Sequence, residues 1–175
     1  MHSTVKSSIH KGAASVERRP LTDIVIHSLM KPAPHELSGN NSRTETIRTL
    51  LVNDSPFMLK TLARILAQEG TITVVGAATD GHQALQYTLA LSPELVLMDF
   101  HLSHLNGAEA TRYIKQFVNP PIVFIVSSDD SSSSRTMSKT AGADAFIIKS
   151  RDLHAQLRSK LQEWFGSAAS SMRQS

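Results

Sequence analysis

From Ile47 onward the chain alternates short, almost wholly apolar runs with longer stretches whose apolar residues recur at helical spacing. The first run, Ile47 to Val52, ends at Asn53-Asp54, and Ser55-Pro56 then supplies an N-cap and a proline suited to a first helical turn. A helix is expected from Pro56, with Leu59, Leu62, Ile65 and Leu66 on one face and a stop near Gly70. Thr71 to Ala77, rich in β-branched residues, predicts a second strand, and Asp80 caps a helix through Leu91. Glu94 to Met98 predicts a third strand that runs into Asp99, and Asn106 caps a helix carrying Ala110, Tyr113, Ile114 and Phe117. Ile122 to Val126 is apolar throughout, as a central parallel strand covered on both faces should be. Ser131 to Thr140 is the weakest helix, because serine is a mediocre helix former and four occur in a row. Ala145 to Ile148 predicts a fifth strand, and Asp152 caps a last helix with Leu153, Leu157, Leu161 and Trp164 on one stripe.

Five strand–helix pairs, each with a crossover long enough to return the chain in the same direction, imply an α/β fold with a five-stranded parallel sheet. Residues 1–45 read differently. They are rich in Ser, His and Lys, carry Pro32, Pro34 and Gly39-Asn40-Asn41-Ser42, and are expected to be a disordered extension. Within them, Leu21 to Met30 has helical spacing and could form one short amphipathic helix. The domain is expected over 46–166, with 167–175 as a flexible tail.

Composition narrows the function. The 175 residues suffice for one ordinary core, and the absence of cysteine excludes disulfides, thiol catalysis and Cys-ligated zinc. A formal net charge of +3, from 18 Lys and Arg scattered among 15 Asp and Glu, is too weak an imbalance to imply nucleic acid. No apolar stretch is long enough for a signal sequence or membrane span, so a soluble, cytoplasmic protein is expected.

In open parallel sheets function collects at the carboxyl ends of the strands, near the point where strand order reverses. There the sequence places Asn53 and Asp54 after the first strand, Asp99 after the third, Ser127 after the fourth and Lys149 after the fifth. Carboxylates beside an amide suit a hard divalent cation such as Mg²⁺, while a lysine and a hydroxyl suit phosphoryl oxygens. Together they supply what acyl-phosphate formation needs: a carboxylate nucleophile, a cation and donors for the product oxygens. Neither a G-x-G-x-x-G nor a G-x-x-x-x-G-K-[ST] loop occurs, so the phosphoryl donor is expected to be another phosphorylated species.

Four segments carry a family resemblance. Thr49-Leu50-Leu51-Val52-Asn53-Asp54-Ser55-Pro56, Leu95-Val96-Leu97-Met98-Asp99-Phe100-His101-Leu102 with Asn106-Gly107, Pro121-Ile122-Val123-Phe124-Ile125-Val126-Ser127-Ser128, and Ala141-Gly142-Ala143-Asp144-Ala145-Phe146-Ile147-Ile148-Lys149 together resemble the response-regulator receiver domain. The resemblance implies a doubly wound (βα)5, flavodoxin-like fold. It implies that a sensor histidine kinase or histidine phosphotransfer protein passes its phosphoryl group to Asp99. Mg²⁺ would be held by Asp54, Asp99 and the backbone carbonyl of His101, with Asn53 acting through water. Ser127 and Lys149 would engage the phosphoryl oxygens, and Ser127 moving inward would let Phe146 rotate. The output would then be contact with a downstream protein, and the fourth helix, fifth strand and fifth helix offer a surface for a homodimer. On this reading the chain is a phospho-acceptor and not an enzyme, slow autodephosphorylation being its only turnover.

The sequence departs from the family pattern at Asn53, where an acid is usual, and at Ser103 and Ser150, where prolines are common. Asn53 contributes no charge, which lowers the expected Mg²⁺ affinity. Alternatives are a pseudo-receiver that signals by contact alone, the receiver part of a DNA-binding regulator, and a small hydrolase resembling haloacid-dehalogenase phosphatases. The last would need an aspartate where His101 stands. His101 and His104 lack a third ligand in sequence and read as loop histidines.

Overall fold

A computed structural model describes residues 46–171, with side chains through 166. The extension at 1–45, with its Leu21–Met30 helix, and residues 172–175 lie outside the described residues. The elements follow as β1 (Ile47–Val52), α1 (Pro56–Ala67), β2 (Ile72–Ala78), α2 (Gly81–Leu91), β3 (Leu95–Asp99), α3 (Gly107–Ile114), β4 (Ile122–Ser127), α4 (Ser132–Thr140), β5 (Ala145–Ile148) and α5 (Leu153–Ser171). The five strands form one parallel sheet in the order β2-β1-β3-β4-β5.

Alternation along the central strands divides the core between the two faces of this sheet. Leu51, Leu97, Phe124, Val126 and Ile147 pack with Leu59, Leu62 and Leu66 of α1 and Leu157 and Leu161 of α5. Leu50, Val52, Val96, Met98, Val123 and Ile125 pack on the other side with Ala84 of α2 and Ala110 and Ile114 of α3. Both faces are covered, which is why Leu50-Leu51-Val52 of β1, Leu95–Met98 of β3 and Ile122–Val126 of β4 read as continuous apolar runs instead of alternating ones.

The caps behave as their side chains dictate. Ser55, Asp80, Asn106 and Ser131 each accept a backbone N–H from the first turn of the helix that follows, and Asn106 with Glu109 completes a capping box. The serine run forms a full helix because Ser134 and Ser138 are buried against the domain while the others face water. Tertiary contact thus overrides poor propensity.

Two features of the helices differ from the sequence reading. Tyr113 is exposed and Phe117 lies beyond the end of α3, which stops at Ile114, so the inward stripe is carried by Ala110, Thr111 and Ile114. Helix α5 continues to Ser171, past the boundary expected at 166; alanines at 168 and 169 are strong helix formers. Among the described residues no helix is long and apolar enough to cross a membrane.

Candidate functional site

In the order β2-β1-β3-β4-β5, the chain moves outward from β1 to one side and then returns to build the other side from β3. The reversal lies between β1 and β3, where a crevice is expected at the carboxyl ends. Asn53 leaves β1 and Asp99 ends β3, and their side chains meet there: Asn53 Nδ2 donates to Asp99 Oδ2 at 2.7 Å. Lys149, one residue beyond β5, donates from Nζ to the same oxygen, also at 2.7 Å.

Asp99 is a carboxylate only 3% exposed, so its charge must be met by protein groups. Oδ2 has the two donors just named, and Oδ1 accepts from the His101 backbone N–H at 3.2 Å. Lys149 is placed by its own backbone, whose N–H donates to the Ser127 carbonyl at 2.7 Å. Gly107 holds the other side. Its N–H donates to the Phe100 carbonyl, and a β-carbon there would lie 2.0 Å from the Asp99 carbonyl oxygen, so α3 can start this close to the carboxylate strand only at a glycine.

Asn53 is fully committed. Its Oδ1 accepts from the Ser55 N–H at 2.8 Å, an Asx turn that leads into α1, and its backbone N–H donates to the Ala78 carbonyl. Asp54, by contrast, is exposed and has no hydrogen bond or ion pair among the described residues.

Ser127 ends β4 with no exposed surface, and its Oγ accepts from the Asp129 N–H at 3.0 Å. It makes no bond to Asp99 among the described residues, and its own hydroxyl proton remains available to donate. The loop after it is tightly tied. The Asp129 carboxylate accepts from the Ser131 N–H and Oγ and from Ser134 Oγ. These bonds, Ser134's first, hold the Asp129 carboxyl below its ordinary value. Arg135 then pairs with Asp130 and sets its guanidinium 4.9 Å from the ring centroid of half-buried Phe146.

Asn53, Asp99 and Lys149 are therefore in direct contact, and Ser127 is one residue beyond Val126, the β4 partner of Asp99. His101 and His104 form no metal site: among the described residues no group of three or more His, Asp or Glu could hold an ion. Three participants are not evident from the sequence reading. These are the direct amide contact of Asn53, the Asp129 serine cage and the Arg135 guanidinium over Phe146. Only the Asp-x-Ser-x-x-Ser spacing carried a signal, that of nested caps.

The family model for the response regulator receiver domain matches residues 49–162. A protein-glutamate methylesterase/protein-glutamine glutaminase of Pseudomonas syringae is 33% identical over 104 residues, 59% of this chain and 27% of that protein. The response regulator domain of Thermotoga maritima CheB is similar in structure, with 30% identity, a TM-score of 0.62, and coverage of 67% of this chain and 95% of that one. The receiver domain of the sensor histidine kinase PA1611 of Pseudomonas aeruginosa, with magnesium coordinated in its active site cleft, is 27% identical with a TM-score of 0.61 and covers 69% of this chain and 98% of that one. The expectation that the chain is not an enzyme is corrected by these relatives, because the matching curated proteins are enzymes by name. The chain spans about a quarter of their length, and the shared part is the receiver.

Proposed function

Because the chain belongs to the response regulator receiver domain family, we propose that Asp99 accepts a phosphoryl group from a sensor histidine kinase or histidine phosphotransfer protein in the cytoplasm. The observation that carries this reading is Lys149 Nζ on Asp99 Oδ2 at 2.7 Å, at the carboxyl ends of the strands beside the reversal in strand order. A carboxylate oxygen of Asp99 attacks phosphorus, the phosphorus–nitrogen bond of the donor's phosphohistidine breaks, and the imidazole leaves with the electron pair and takes up a proton. Lys149 is already at the carboxylate and follows the new negative charge onto the phosphoryl oxygens. Ser127 has a proton to give to the same group.

The donor set suits Mg²⁺. Asp54 and Asp99 offer carboxylate oxygens, the Asp54 carboxylate has no competing partner among the described residues, and the His101 carbonyl adds a third hard oxygen. When bound there, the ion neutralises charge on the transferring group.

Once Ser127 engages a phosphoryl oxygen, its bond from Asp129 N–H is disturbed, and the tied segment from Asp129 to Arg135 transmits that change to Phe146. The surface of α4, β5 and α5 is the proposed output face, for a downstream protein or a second copy. The matched receivers belong to proteins with different outputs, so the receiver chemistry transfers to this chain and a particular output does not.

Transfer from a phosphorylated histidine phosphotransfer protein tests the reading. The chain should gain acid-stable, hydroxylamine-labile phosphate, and Lys149→Ala should reduce the rate at least about tenfold, as loss of a charged transition-state contact does. Labelling that survives Asp99→Asn unchanged would refute it.

A further inference from the structure

The proposed chemistry leaves unused the side-chain amide of Asn53, which is only 1% exposed. Both of its ends are assigned. Oδ1 accepts from the Ser55 N–H at 2.8 Å, and since only the oxygen can accept, the NH₂ must face Asp99, where it donates to Oδ2 at 2.7 Å. An amide held in this way presents hydrogens, and no lone pair, toward the acceptor carboxylate. It also occupies one approach to Oδ2, with Lys149 Nζ on another.

Charge points the same way. With Asp54 read as part of the oxygen set, it and Asp99 are balanced by the single ammonium of Lys149, which bonds Asp99, leaving one negative charge. An aspartate at 53 would leave two, with a carboxylate oxygen where the amide nitrogen now sits, 2.7 Å from Asp99 Oδ2. Two carboxylates so placed must share a proton or recruit a cation. The asparagine removes that demand while keeping the carboxylate hydrogen-bonded.

We propose that Asn53 sets the cation demand of this site: its amide is a built-in donor that compensates Asp99 in the resting protein and competes with a divalent cation for it. This differs from an amide that assists the cation through a bound water. The two predict opposite effects when the amide is removed. The inference rests on the reading of Asp54, Asp99 and the His101 carbonyl as the oxygen set, but it concerns cation binding alone, which is measured without a phosphoryl donor.

The test is titration calorimetry of MgCl₂ into the full chain, comparing wild type, Asn53→Asp and Asn53→Ala, with far-ultraviolet circular dichroism to check folding. Asn53→Asp should bind Mg²⁺ about tenfold more tightly or better, the gain expected from one further anionic oxygen. Asn53→Ala, which removes the competing donor without adding charge, should bind at least as tightly as wild type. A smaller gain for Asn53→Asp, or weaker binding by Asn53→Ala, overturns the proposal. If the acidic variant does not fold, the alanine variant decides alone. Should the affinities follow this order while the wild type takes up no phosphoryl group, the phosphoryl reading falls and this one stands; phosphorylation with the wrong affinity order gives the converse.

Discussion

Lys149 Nζ reaches Asp99 Oδ2 at 2.7 Å across an intervening strand, since β4 lies between β3 and β5 in the sheet. The pair therefore ties the fifth strand end to the third, and it does so with an ammonium side chain 17% exposed and a carboxylate 3% exposed. A charge-assisted bond in such surroundings is stronger than one at the surface.

Lys149→Ala should consequently lower unfolding free energy by about 1.5–3 kcal/mol, the usual worth of a hydrogen bond to a charged group. Urea denaturation measures this. Asp99→Asn leaves the Lys149 ammonium without its anion, but that group is 17% exposed on a flexible stem that can turn to water. Lys149→Ala instead leaves the 3% exposed Asp99 carboxylate without its cation, so Asp99→Asn should cost less. A loss in Lys149→Ala no larger than that in Asp99→Asn would contradict this ranking.

Gly107→Ala should be disruptive out of proportion to its size. Its β-carbon would lie 2.0 Å from the Asp99 carbonyl oxygen, so either the start of α3 or the end of β3 must move. A loss of about 1–3 kcal/mol is expected from overpacking. The same substitution at Gly166, where an added β-carbon meets Gln162 Cβ at an ordinary 3.8 Å among the described residues, should be better tolerated. Similar midpoints for the two variants would show that the close approach at Gly107 is not a constraint.

The Asp129 cage gives a pH signature. Its carboxyl is held below the ordinary value chiefly by Ser134, so the folded state binds the proton more weakly than the unfolded chain does. The contribution of this group is present above the unfolded-state value and is lost as pH falls through the depressed folded one. Carboxyl NMR titration should place Asp129 below a free aspartate, and Ser134→Ala should return it toward the ordinary value. An unchanged titration in Ser134→Ala would rule the cage out as the cause.

The Arg135 guanidinium 4.9 Å from the Phe146 ring centroid should hold that ring on the α4 side. Arg135→Ala is expected to cost about 0.5–1 kcal/mol, the worth of an exposed cation–π contact, and to shift the Phe146 ring resonances. Unmoved resonances would remove Arg135 from the coupling between Ser127 and Phe146.

Much of the fold was legible because the strong signals were local. Ser55-Pro56, Asp80 and Asn106 start helices where their side chains can reach the first free N–H groups, and doubly covered strands leave unbroken apolar runs such as Ile122–Val126. The helix at Ser132–Thr140 was the least legible, since its stability comes from the buried Ser134 and Ser138 and the Asp129 cage. Those contacts are made across the fold or around a loop. At the site, residue types at strand ends were enough to gather Asn53, Asp99 and Lys149. The direction of the Asn53 amide was not, because it depends on the Ser55 N–H that fixes Oδ1. The closeness of Gly107 to Asp99 likewise exists only after α3 has docked on β3.

The central claim, that Asp99 is the phospho-acceptor, is tested most directly by intact mass spectrometry after incubation with phosphoramidate or acetyl phosphate and MgCl₂. The wild type should gain the mass of one phosphoryl group and Asp99→Asn should gain none. A wild type that stays unmodified beside an active receiver, or an Asp99→Asn variant that gains the same mass, would contradict the account.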